Sequence, residues 1–125
     1  MARRKGVVEY EGGQLSHEKL DVYRLAIDYV VLMAPILEAL PRGNAVLADQ
    51  LKRASLSIPL NIAEGAGKTS AADRSRYYAT ARGSAMECGA ILDVCRALNT
   101  LDDRRVAEGK LLLSRVVSML TKLCR

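Results

Sequence analysis

Chemistry in this chain would have to start from two carboxylates. Glu64 and Glu87 fall in segments that should form neighbouring helices, and each has a polar residue three positions before it, Asn61 and Ser84. Each pair therefore shares a helix face. Two carboxylates inside a bundle could hold a metal or divide acid and base duty. A di-iron bundle, however, takes Glu-x-x-His twice, and the only histidine, His17, lies outside every helix core. The reading adopted is a structural polar network of Gln50, Ser57, Asn61, Glu64, Ser84 and Glu87, with Arg53 and Arg82 neutralising the carboxylates. Such a network fixes helix register, so Glu64→Ala should lower thermal stability or break an oligomer without removing any turnover. No catalytic residue, metal or cofactor is assigned, and His17 is expected on the surface or in a cap.

Two further reactive patterns lead nowhere catalytic. Cys88, Cys95 and Cys124 are odd in number and lack paired spacing, so they read as reduced, buried small hydrophobes in a cytoplasmic protein. The segment AEGAGKTS ends like a phosphate-binding loop, but the first glycine of that motif would fall at Ile62. A proline-containing helix precedes it where a strand is needed, so nucleotide binding is rejected. Gly65 and Gly67 are read instead as helix-stop residues suited to the left-handed conformation.

The basic residues carry the partner question. The net charge is +5 over 125 residues. Lys52, Arg53, Lys68, Arg74, Arg76 and Arg82 gather around the end of one helix and the first half of the next, while Arg115 and Lys122 share a face seven residues apart. These eight are the candidate nucleic-acid contacts. An ordinary solvated surface of mixed charge is the competing account.

The elements that must position these groups follow from apolar spacing. The chain is one domain with no Phe and no Trp, so its core is aliphatic. Residues 1–16 lack periodicity and are read as a flexible tail, with VVEY as a short extended piece; residues 17–125 hold four helices. The first helix should start after Ser16 as N-cap and run to about Leu40, with Leu20, Tyr23, Ile27, Val30, Ala34 and Leu37 as its stripe. It is apolar nearly all round from Leu25 on, which a small monomer cannot bury alone. Leu25, Tyr29, Leu32, Met33 and Ile36 are therefore expected at an oligomer interface. Its longest uncharged run, Tyr29 to Leu37, is too short to cross a bilayer.

The second helix spans about Ala45 to Glu64 on Leu47, Leu51, Ala54, Ile58 and Ile62, with a kink at Pro59. The third, about Ala71 to Leu98, starts from a cap at Ser70 and Asp73. Its small strip of Ala81, Ala85 and Gly89 should pack closely on the second helix, which would also explain Gly83. Of Tyr77 and Tyr78, one is expected in the core and one at a rim. The fourth helix runs from about Asp102 to Lys122 on Val106, Gly109, Leu113, Val116, Leu120 and Leu123. Short connections make this an all-α, antiparallel up-down-up-down four-helix bundle.

The string SIPLNIAEG, preceded by DQLKRA and followed by ARGSAMEC at residues 81–88, resembles the signature of the four-helix-bundle family of 23S rRNA intervening-sequence proteins. The resemblance runs from about Leu20 onward. It implies protomers assembled in a ring, typically a pentamer, and no established catalytic activity. It also implies a distant likeness to the basic accessory subunit of reverse transcriptases in diversity-generating retroelements. The expectation is a non-enzymatic, homo-oligomeric protein that binds nucleic acid, RNA first, as an accessory to a reverse transcriptase. The alternative is a protein-interaction scaffold ring that touches no nucleic acid; a metalloprotein built on Glu64 and Glu87 is the third.

Overall fold

A computed structural model describes residues 3–4, 7–8 and 15–124. Residues 1–2, 5–6 and 9–14, most of the expected tail, lie outside the described residues. Within it, β1 (Arg3–Arg4) pairs antiparallel with β2 (Val7–Val8), so the extended reading of Val7 and Val8 holds. The remainder is helical: α1 (Asp21–Ala39), α2 (Ala45–Ala66), α3 (Ala71–Ala97) and α4 (Asp103–Leu123). α1 packs on α2, α2 on α3, α3 on α4, and α4 back on α1. With such short connections, that closed cycle is the antiparallel up-down-up-down bundle.

The helix starts show where local chemistry decided and where packing did. Ser70 Oγ accepts the amide hydrogen of Asp73 at 3.1 Å and starts α3 as expected. Asp102 Oδ1 likewise accepts from the Arg105 amide at 2.8 Å and starts α4. Ser16 does not start α1. Ser16–Lys19 form a 3₁₀ turn, Leu20 is extended at φ −86° and ψ 127°, and α1 begins at Asp21. The extended residue brings Leu20 against the core. Between α3 and α4, Asn99 takes φ 57°, a left-handed turn that its short side chain tolerates.

α2 does not stop at left-handed glycines. It runs through Pro59 to Ala66, and its cap Gly67 has φ −84°. Gly65 is buried inside the helix because Tyr78 occupies the space a side chain would need: a Cβ there would lie 2.8 Å from Tyr78 Cε1. α1 likewise continues past Pro35 to Ala39.

The core is aliphatic with buried tyrosines and cysteines. α2 contributes Leu51, Ala54, Ile58 and Ile62, and α4 contributes Val106, Leu113, Val116 and Leu120, on the expected spacing. Leu123 falls off that stripe and is exposed. α3 buries Ala81 and Ala85, whereas Gly89 faces Leu113 of α4 and Gly83 meets nothing within 4 Å. Gly83 is thus no packing glycine. α1 is turned from its expected register. Val22, Ala26, Tyr29, Met33, Ile36 and Leu40 are buried, while Ile27 and Val30 are half-buried and Ala34 is exposed. When most of a helix is apolar, its own sequence cannot choose the inward face, and the partner helices do.

Candidate nucleic-acid interface

The seam between α2 and α3 holds part of the expected polar network. Ser57 and Ser84 hydroxyls meet at 2.8 Å, and Asn61 Nδ2 donates to Ser57 O at 2.8 Å and to Ser57 Oγ at 2.9 Å. Arg53 closes one edge by pairing with Glu87 at 3.3 Å. Glu64 is not a member. It is exposed and pairs with Lys68, one turn on, at 3.4 Å. Gln50 is exposed on α2. Arg82 turns to the other neighbour and donates through Nε to Thr121 Oγ1 of α4 at 2.8 Å. The two glutamates therefore never converge, and no group of three or more His, Cys, Asp or Glu among the described residues is placed to hold a metal.

A second polar contact lies wholly in the core and was not anticipated. Ser55 Oγ donates to the Tyr29 hydroxyl at 3.4 Å and sits 3.6 Å from Cys88 Sγ, joining α1, α2 and α3. Burial pushes both the Tyr29 phenol and the Cys88 thiol above their ordinary ionisation ranges. The signal in the sequence was Tyr29 itself, because a tyrosine hydroxyl among apolar neighbours needs a partner. Cys95 is also buried, while Cys124 is half-buried at the end of α4.

These positions redraw the expected oligomer interface. Tyr29, Met33 and Ile36 are 0%, 1% and 2% exposed within a single protomer, so they belong to its own core and cannot meet another chain. Leu25 and Leu32 are partly buried against that core. The large apolar side chains that remain outside include Met86, Val94 and Leu98 on or just after α3, Leu111 on α4, and Leu56 and Leu60 on α2.

The candidate cations divide by what they touch. Arg74 serves the α2–α3 turn: its guanidinium donates to the carbonyls of Lys68 at 3.2 Å and Thr69 at 2.9 Å. Lys68 Nζ and the Arg76 guanidinium both lie over the half-buried Tyr77 ring, 5.2 and 5.5 Å from its centroid. Arg76 is also held by Asp73 at 3.3 Å. Tyr78, the next residue, is buried, so this tyrosine pair divides between rim and core as expected. Among the described residues no ion pair engages Lys52, Arg115 or Lys122, and all three are exposed. The two charged groups themselves sit against the ring, a cation–π arrangement, and both side chains keep access to solvent, so the turn end of the bundle presents cations held by an aromatic ring. Beside them opens a cleft of about 540 Å³, lined by His17, Leu60, Asn61, Ala63, Glu64 and Lys68.

No curated protein matches the chain. Among the described residues, no helix is long and apolar enough to cross a membrane. The sequence does match the profile of the 23S rRNA-intervening sequence protein family, over residues 18–122, which takes in α1 to α3 and all of α4 but its last residue. With most of its length matched and the implied four-helix architecture in place, the chain belongs to the 23S rRNA-intervening sequence protein family.

Proposed function

We propose that this protein is a non-enzymatic, cytoplasmic homo-oligomer, pentameric in form, that binds RNA through the cations at the α2–α3 end of the bundle and acts as an accessory to a reverse transcriptase. The observation that carries the nucleic-acid reading is the gathering of Lys68, Arg74 and Arg76 around Tyr77 and its turn. One protomer offers few phosphate contacts. A ring repeats them, and linked weak sites gain affinity without any new contact. Self-association is supported by the exposed Met86, Val94, Leu98 and Leu111, which a second copy would cover. The accessory role rests on the resemblance of the chain's motifs alone.

The second reading, a scaffold ring without nucleic acid, also has an observation in its favour. Arg53, Lys68 and Arg76 already pair with carboxylates, and Arg82 donates to a hydroxyl. Fluorescence anisotropy with a structured RNA, titrated against salt, decides between them. The nucleic-acid reading expects binding that weakens steeply with salt, the log–log slope scaling with the number of phosphates neutralised. Absence of binding at low salt would leave the scaffold. Light scattering tests assembly separately, and a lone 13.6 kDa species at micromolar loading would end the oligomer proposal.

A further inference from the structure

The cleft beside the α2–α3 turn has a composition unlike a plain phosphate-binding surface. Its wall includes Leu60, which is 65% exposed, and Ala63; its polar edge is Asn61, Glu64 and His17. Its volume of about 540 Å³ falls within the range of small-ligand sites. Lys68 is shared between this cleft and the Tyr77 platform that also carries Arg76. An apolar wall, hydrogen-bonding side chains and adjoining cations match, in order, the face, the edge and the phosphate of one nucleotide. Asn61 commits its Nδ2 to Ser57, leaving its carbonyl oxygen as the group able to accept from a base.

Resting on the nucleic-acid reading above, we propose that this cleft takes a single unpaired nucleotide. The base lies against Leu60 and Ala63, and its phosphates meet Lys68 and the neighbouring Arg76 by displacing the exposed carboxylates of Glu64 and Asp73 that pair with them. A base inside a duplex is stacked and paired, so it cannot enter; a duplex can meet only the cations. RNA-binding proteins commonly take unpaired bases onto a flat side-chain surface beside backbone-tracking cations; here that surface is aliphatic, and it would hold the base by excluding water from its face. The Tyr77 ring is already covered by Lys68 and Arg76, so its part is to position those two charges rather than to stack on the base.

The test compares an unstructured RNA with a blunt RNA duplex of equal length, by anisotropy at one low salt concentration. The variant is Leu60→Ser, an exposed and neutral change that leaves the core and the charge intact. Expected are tighter binding of the unpaired strand by wild type and a loss of about tenfold for that strand alone in the variant, the order of what covering one leucine side chain is worth. Equal affinity for both RNAs, untouched by Leu60→Ser, would overturn the cleft proposal and leave a cationic surface that binds any phosphate backbone. Failure of wild type to bind either RNA would overturn both this proposal and the reading beneath it.

Discussion

Gly65 and Gly83 are both helix-interior glycines, and the structure gives them opposite meanings. A methyl group at Gly65 would press on the Tyr78 ring at 2.8 Å, whereas at Gly83 it would meet open space. Gly65→Ala should therefore destabilise the protein by about 1–3 kcal/mol through overpacking. Gly83→Ala should stabilise it by about 1 kcal/mol, because alanine holds the helix better than glycine. Thermal melts of the two variants check both signs. The sequence assigned Gly65 to a helix stop because a glycine near a helix end usually is one; only the tyrosine of another helix reveals its packing role. Glu64 carries a similar correction. Its side chain is 58% exposed and its ion pair with Lys68 lies on the surface. Glu64→Ala is now expected to shift stability by no more than about 0.5 kcal/mol, measured by urea unfolding.

At the scale of the element, α1 shows what periodicity can and cannot tell. Where a helix carried a single apolar stripe, as α2 and α4 do, the buried residues were readable in advance. α1 offered two stripes, and the one that includes Tyr29 prevailed, bringing its hydroxyl to Ser55. The polar residues on α2 were legible as a seam toward α3: the Ser57 hydroxyl meets that of Ser84 across it, and Asn61 supports Ser57 from one turn along the same helix. Which carboxylates joined that seam depended on side-chain reach and was not legible. The Tyr29–Ser55–Cys88 contact also predicts a pH dependence. Burial raises the folded-state pKa of both acids, so the folded protein holds these protons more tightly than the unfolded chain. That contribution is fully present below the unfolded thiol's pKa and is lost as pH rises from about 9 toward the folded value. The melting temperature should fall over that window, and it should fall less in Cys88→Ala, which removes one of the two groups.

For the whole molecule, four helices and their order were legible because Pro41, Gly43, the Ser70 cap and the Asn99 turn punctuate strong apolar patterns. The gathering of cations was legible only as a stretch of sequence. That Lys68 and Arg76 share one ring, while Arg74 fastens the turn and Arg82 crosses to α4, required the three-dimensional arrangement. The cyclic packing has a consequence for connectivity. Leu20 and Val22, at the start of α1, line the same small hollow as Lys122 and Leu123 at the end of α4. Gly43, by contrast, sits in an exposed connection with nothing within 4 Å of its missing side chain. A circular permutant that bridges the first pair with a short flexible linker and is cut open at Gly43 should keep its far-ultraviolet circular dichroism and a cooperative melt. That outcome would separate wiring from architecture in this molecule.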